Sequence, residues 1–295
     1  MNRLLLIDID GMFYHSIGKE TLEECITTFR EKLQNCLDKT ECTHWVGFVG
    51  KGKTFRNSIS PEYKANRIQD PPKYLAALKE WGIAEFNLSI CRNYESDDAV
   101  GYYYNKPVYW CKYTNSHGDS HWMINFTTDN ADEFELVEVI LASPDKDLLQ
   151  GIACKNPLGH FNYSYKLEDK TDLNSIIKGW FVHTCPEDAF EFTQSQLVIG
   201  DSADGVIALK GKGKAYWDKN KIMLLTLPDI LREYIYLYGE MQGVFEFQKT
   251  IRLLHILNSD KDFERELMYT PSLDDLHINK VPTKPIAEVN DDLKF

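Results

Sequence analysis

Long apolar runs are what this chain most conspicuously lacks. No part of its 295 residues offers the ~18 consecutive apolar positions that a membrane-spanning helix needs, so no membrane partner is expected. The N-terminal run Leu4–Ile7 stops at Asp8, with no small-residue cleavage site behind it; it reads as a buried strand rather than a secretion signal, and a cytoplasmic location is expected. Cysteine is present but unorganised. Seven residues (25, 36, 42, 91, 111, 154 and 185), odd in number and without a C-x-x-C pair, argue against a disulfide framework or a thiolate zinc cage and leave buried free thiols. Positive charge is scarce as well: 33 Lys and Arg face 45 Asp and Glu, a formal net charge of −12. That is the wrong overall sign for a protein that simply coats nucleic acid.

What is present is enough apolar material, 43% of residues, to bury one large core or two modest ones. Residues 3–9 read as a buried strand, and Thr21–Leu37 carries apolar side chains at helical spacing. Trp45–Val49 reads as the next strand, followed by a glycine- and lysine-rich loop and a helix from Pro71-Pro72 to about Trp81. Phe86–Cys91 is a third strand, Ser96 a cap for the helix opening at Asp97-Asp98, and 137–142 a fourth strand before a short helix near Asp147–Gln150. Such alternation predicts an α/β fold, a mostly parallel sheet with helices on both faces. Residues 105–135 interrupt the rhythm as an inserted hairpin, whose aromatics either pack or offer a stacking surface for bases. His117 and His121 flank Asp119 at its tip, where a turn is favoured over a metal site. Helices are expected at 203–210, 214–219, 227–238 and 243–257, then a polar, loosely held tail from Ser259.

Nine acids stand in four short clusters: Asp8 and Asp10; Glu95, Asp97 and Asp98; Asp145 and Asp147; Asp201 and Asp204. Each cluster alone has a structural explanation, as a helix cap, a dipole-facing acid or a surface charge. Three of them, however, follow strands of an open parallel sheet, at the strand ends where such folds bind ligands. Concentrated negative charge must be neutralised, and hard divalent cations with oxygen ligands do so well. Outside these clusters the chain is nearly balanced, with basic stretches at Lys51, Lys53, Arg56, Lys64 and Arg67 and again at Lys210, Lys212, Lys214, Lys219 and Lys221. Local positive strips on an acidic body suit a phosphate-backbone binder.

The order Asp8…GKGKTFR…PEYKANR…ESDD…SPDKD…GDSADG…GKGK, from residue 3 to about 220, resembles the 5′-nuclease superfamily of flap endonucleases, bacteriophage 5′→3′ exonucleases and the 5′-nuclease domain of bacterial DNA polymerase I. The resemblance implies a PIN-like core over 1–200, a helix–three-turn–helix DNA-binding subdomain over 201–258 and a tail over 259–295. It implies two Mg²⁺ ions, with Mn²⁺ as a substitute: one on Asp8, Glu95 and Asp97, the other on Asp145, Asp147 and Asp201, with Asp98 and Asp204 acting directly or through water and Asp10 behind the ligands. Lys64 and Arg67 would contact the scissile phosphate. Lys51, Lys53 and Arg56 would touch DNA, as would the Gly211-Lys212-Gly213-Lys214 hairpin with its K⁺ ion. Tyr14 and Tyr63 either stack on the base beside the cut or belong to the core.

Three departures stand out. An aspartate usual after the second strand is missing at Val49-Gly50, which is expected to weaken the first metal site; Asp204–Leu209 lacks the common Asn-Ile-Pro-Gly pattern; and the 105–135 insert is long. The expected activity is metal-dependent 5′→3′ exonuclease and flap endonuclease action on DNA ends, flaps or nicks, and on RNA–DNA hybrids, during replication in a bacterial or phage-infected cell. A replication protein would dock on the tail. The alternatives are a DNA-junction binding protein with impaired cleavage, and an RNase on a smaller PIN-type sheet, against which the GKGK element counts.

Overall fold

The apolar run of the first strand becomes the centre of the molecule. The computed structural model describes residues 2–67, 70–150, 158–168, 176–224, 226–283 and 285–286. Strand β1 (Arg3–Asp8) runs into α1 (Ile9–Ser16) and α2 (Leu22–Thr40); β2 (His44–Thr54) leads to the short α3 (Phe55–Ile59) and to α4 (Leu75–Phe86); β3 (Ser89–Asn93) precedes α5 (Ser96–Tyr104). Then follow β4 (Tyr109–Thr114), β5 (Ser120–Asn125), β6 (Glu133–Leu136), β7 (Glu138–Ala142), a 3-10 turn at Lys146–Gln150, β8 (His160–Leu167) and β9 (Ile176–Val182). The C-terminal third comprises α6 (Pro186–Ile199), α7 (Lys214–Asn220), α8 (Leu227–Tyr238), α9 (Glu240–Leu254), α10 (Asp260–Leu267) and β10 (Asn279–Lys280).

Among the described residues the main sheet runs β10–β2–β1–β7–β8–β9, with β3 on the far half of β2. β1 pairs in parallel with both β2 and β7, and β2 in parallel with β3. Both faces of β1 are covered, which is why its sequence is continuously apolar. Leu4 and Leu6 join Ala99, Val100 and Tyr103 of α5 on one side; Leu5 and Ile7 join Phe29 and Leu33 of α2 and Leu78 of α4 on the other. These four strand residues are wholly buried, worth roughly 1.5–3 kcal/mol each. A third core, with Val198, Trp217, Ile230, Tyr234 and Phe247 at its centre, holds the C-terminal helices together. α/β architecture with a mostly parallel sheet and a helical subdomain is therefore what forms. No helix among the described residues is long and apolar enough to cross a membrane, and the six described cysteines are free thiols. Cys154 lies outside the described residues.

Several expectations need correction. The insert is a three-stranded antiparallel sheet, β5–β4–β6, and not a two-stranded hairpin; β6, Glu133-Phe134-Glu135-Leu136, is exposed throughout and alternates polar and apolar residues over four positions alone, too short a run to stand out as a strand. Its tip is a turn: Asn115 Oδ1 accepts the amides of His117 (2.9 Å) and Asp119 (3.0 Å), and Gly118 takes φ +88°. Trp110 and Trp122 stack at 6.0 Å, and Trp110 lies against His44, so these aromatics pack. Residues 203–210 are not helical, because Gly205 at φ +72° turns the chain and Asp201 pairs with Val206 in an antiparallel bridge. The loop expected after Val49 is instead an extension of β2 to Thr54. Nor is the chain loose after Ser259: α10 buries Phe263, and β10 adds to the edge of β2. The end of the tail, 287–295, where a partner was expected to dock, lies outside the described residues.

His160, at the start of β8, is buried with its Nδ1 unpartnered among the described residues. Burial lowers its pKa to about 4. A histidine that stays neutral when folded costs stability once the unfolded chain can take up the proton, so the loss begins below the ordinary value of ~6.5 and is complete near pH 4. His160→Phe should remove that component: relative to the parent it should gain up to about 3 kcal/mol between pH 7 and pH 4 in denaturant titrations. A pH-independent difference would contradict this.

Candidate metal centre

Parallel pairing carries the ends of β1, β3 and β7 to one edge of the sheet, and acids follow each of them. Asp8, Asp10, Glu95, Asp97 and Asp145 line one cleft of about 660 Å³ together with Lys51, Lys64, Arg67 and Lys79. Asp8 lies deepest, at 6% exposure. Its Oδ1 accepts from the Ser96 hydroxyl (2.6 Å) and its Oδ2 from the Ser143 hydroxyl (3.0 Å). Burial, and after it the charge of Asp10, push the Asp8 carboxyl up to about 7. Ser143 Oγ also accepts the Asp145 amide (3.0 Å), Asp145 Oδ1 accepts the Asp147 amide (2.8 Å), and Asp147 Oδ1 accepts from Gln196 Nε2 (2.7 Å). A single chain of hydrogen bonds thus runs from β1 through the 3-10 turn to α6. Burial, then Asp145 and Asp201, push Asp147 up to about 7. Asp145 is raised chiefly by burial, and Asp97 by burial and by Asp98 and Glu95.

Protein cations answer this charge. Lys64 pairs with Glu95 and lies 3.5 Å from Asp204; Arg67 donates to Asp204 Oδ1 at 2.6 Å; Lys146 pairs with Asp201 at 2.9 Å; Lys79 pairs with Asp10. Burial works against an ionised Asp204, but Lys64 and Arg67 outweigh it and hold the carboxyl below its ordinary range. Lys64 itself takes φ +57°, held by a 2.7 Å bond from its amide to the Asp204 carbonyl. A strained lysine aimed among carboxylates is what a functional site tolerates and a surface loop does not need. One consequence corrects the expectation of a ready-made cage: among the described residues, no three His, Cys, Asp or Glu side chains are grouped to hold a metal ion as they stand. Each acid has turned to a cation or donor of the protein. The donor chemistry still fits hard divalent cations, being all oxygen, with Asp8 and Asp147 unable to ionise fully without further positive charge. Lys64, Lys79 and Lys146 sit on flexible stems that can swing away.

The other expected residues divide. Arg56 does not reach DNA: it is 2% exposed and makes two bonds to Asp98, 2.6 and 2.8 Å. Asp98, fully buried, is thereby committed to Arg56 rather than to a metal. Ser96 does not cap α5; its hydroxyl faces Asp8, and Glu95 stands at the cap position. Tyr63 is buried with its hydroxyl 2.9 Å from both Glu95 and Asp204, whereas Tyr14 is exposed at the cleft. Asp201, buried, and Asp204 do not line the cleft themselves; their ion pairs with Lys146 and with Lys64 and Arg67 connect them to residues that do. Lys53 is exposed on the β2 extension. In the GKGK element Gly211 takes φ +76°, Lys212 lies over Tyr216 at 4.1 Å, and Lys214 pairs with Asp218.

Asp10 has a larger role than expected. Its Oδ2 accepts the Gly50 amide at 2.7 Å, and a Cβ built on Gly50 would lie 2.9 Å from that oxygen. The carboxylate missing from position 50 is thus matched in space by one from α1, and glycine at 50 leaves it room. Sequence reasoning missed Ser143, Gln196, Lys79 and Lys146. Ser143 and Lys146 flank the acids in Ser-Pro-Asp-Lys-Asp and could have been found there; Lys79 and Gln196 carry no local signal.

No family model matches the chain, and no curated protein does. Solved structures do. A bacteriophage T5 protein co-crystallized with metal ions superposes with a TM-score of 0.55 at 14% identity, over 90% of this chain and 97% of that one. A T5 flap endonuclease in a pseudo-enzyme–product complex with DNA and metal ions gives 0.53 at 17% identity, over 87% and 89%. The T5 5′-exonuclease with bound zinc gives 0.51 at 15%, over 90% and 97%. The fold is the one these T5 proteins share. Within it the acid-lined cleft of this chain lies beyond the carboxyl ends of the parallel strands, the ligand-binding end of open α/β sheets.

Proposed function

We propose that the chain is a divalent-metal-dependent nuclease that hydrolyses phosphodiester bonds at DNA 5′ ends, flaps and nicks. One observation carries this reading: acids from three strand ends share a cleft with Lys64 and Arg67, both hydrogen-bonded among them. Asp8, Glu95, Asp97 and Asp10 would hold one ion, Asp145, Asp147 and Asp201 the other, with Mg²⁺ as the ion and Mn²⁺ as its substitute. Bound there, such ions supply Lewis acidity and a more acidic water for in-line displacement. Neutralising the acids frees Lys64 and Arg67, whose present partners are Glu95 and Asp204. The freed cations then bind the phosphate and offset charge that develops on it in the transition state. Tyr14, exposed at the rim, offers a ring for the terminal base.

A specific observation favours a second reading, a junction-binding protein without cleavage: the acids are already paired to protein cations, and none of the described groups forms a metal cage. Incubating a 5′-labelled flap duplex and a matching RNA–DNA hybrid with Mg²⁺, with and without chelator, separates the two. Chelator-sensitive products support the nuclease; tight binding with no product supports the junction binder. In the same assay Lys64→Ala should lower the single-turnover rate ~10²-fold with little change in affinity. A change in affinity alone would remove Lys64 from the chemistry.

A further inference from the structure

Outside the acid clusters, two lysines flank one aromatic ring and a third acts on one of them by charge. Lys32 of α2 is 5% exposed, and its Nζ sits 3.4 Å from the centre of the Tyr165 ring on β8. Lys178, directly across the β8–β9 ladder from Tyr165, lies 5.8 Å from the same ring. Lys19, in the connection between α1 and α2, is near enough to act on Lys32 electrostatically. Among the described residues none of the three lysines forms a salt bridge, although Glu20, Glu23 and Glu24 line one pocket with Lys19 and Glu31 acts on Lys32. Burial, followed by the charges of Lys19 and Lys178, lowers the Lys32 pKa to about 8. A buried charge with like charges beside it is costly, and an anion relieves it.

The cleft-lining residues His15 and Ser164 adjoin the group. His15, lowered by burial and by Lys32, lines the cleft beside Ser164. Its ring packs edge-on against Tyr163, whose hydroxyl donates to the Asp8 carbonyl. Asp8, Tyr163 and His15 are thus joined by contacts between α1 and β8, and His15 responds to the charge of Lys32. The recessed amino group beneath an aromatic ring suits a flexible strand that can bend inward, and compact ammonium charges suit phosphate.

We propose that Lys32 and Lys178, set round Tyr165, hold together with Lys19 the phosphate backbone of a single strand that runs out of the cleft past His15. This rests on the nuclease reading of the cleft. It can be tested with Lys19→Gln/Lys178→Gln, both exposed positions, by titrating binding of a single-strand-tailed duplex and of a blunt duplex in chelator. Between about 50 and about 200 mM salt, the slope of log affinity against log salt should flatten by about 1.4 for the tailed duplex, two single-strand contacts' worth, and stay unchanged for the blunt one. In the parent, acetylation of Lys32 at neutral pH, read by mass spectrometry, should be suppressed by the tailed duplex and not by inorganic phosphate. Equal slopes for variant and parent overturn the subsite, as does full protection by phosphate alone, which would make it a site for the free anion. If the parent binds and cuts while the variant is unaltered, only the subsite falls; if the parent binds neither duplex, the nuclease reading falls with it.

Discussion

Replacing Asp145 and Asp147 together with asparagine should reduce cleavage by ~10³-fold or more, about 4 kcal/mol of transition-state stabilisation, while raising the melting temperature of the metal-free protein. The two effects share a cause. Asp147 is pushed up to about 7 by burial, Asp145 and Asp201, so at neutral pH the folded protein holds like charges that the unfolded chain keeps apart. Asparagine preserves the hydrogen-bond acceptors: Oδ1 of residue 145 still takes the amide of residue 147, and Oδ1 of residue 147 still takes Gln196 Nε2. What disappears is charge. Mg²⁺ should then stabilise the parent by about 2.7 kcal/mol at a hundredfold excess over its dissociation constant, and the variant far less. Calorimetric melts with and without Mg²⁺ read this without any substrate. A variant that melts no higher than the parent and gains as much from Mg²⁺ would remove these two carboxylates from the metal centre, whatever the activity.

That centre was legible in the sequence because its acids follow strands, and strand ends in parallel sheets are where ligands bind. Asp8 after Leu4–Ile7 and Asp145 after Val139–Ala142 needed only the apolar run and the residue that ends it. Partners fixed by tertiary contact were not legible. Ser96 looks like a helix cap until the fold places it against Asp8, 88 positions earlier, and Lys79 reaches Asp10 from α4 with no motif around it. The same limit explains the fold errors. β6 alternates polar and apolar residues over four positions alone, Glu133 to Leu136, while Ala203–Lys210 carries apolar residues at plausible helical spacing that a left-handed Gly205 overrides. The cations show the limit most clearly: spacing predicted where acids would meet, but not that Lys64, Lys79 and Lys146 would be folded onto them.

Arg56 is the extreme case of a charge misread from sequence, and its loss should be the most destabilising single change. Arg56→Met should cost about 3–5 kcal/mol, because it strands the Asp98 charge in an interior with no exposure. The guanidinium makes two bonds to Asp98 and also donates to the carbonyls of Leu253 (3.1 Å) and His255 (2.7 Å) at the end of α9. Asp98 in turn accepts the amides of Glu95 (3.0 Å) and Leu257 (2.8 Å). One ion pair therefore ties α3, α5 and the C-terminal end of α9 together, and with them the helical subdomain to the wall of the cleft. Arg56→Lys should recover little, since an ammonium cannot reproduce the planar fork. Arg56→Met/Asp98→Leu should recover most of the loss, because replacing both charges removes the stranded one. Denaturant midpoints of the parent, Arg56→Met, Asp98→Leu and the double variant give the coupling directly; a single Met variant within about 1 kcal/mol of the parent would mean that Asp98 finds water or a proton at little cost. Arg56 also lies 3.4 Å from Glu95, but Lys64 and the Tyr63 hydroxyl hold that carboxylate too, so in whatever fraction of the Met variant remains folded the Lys64–Glu95 pair of the cleft should persist.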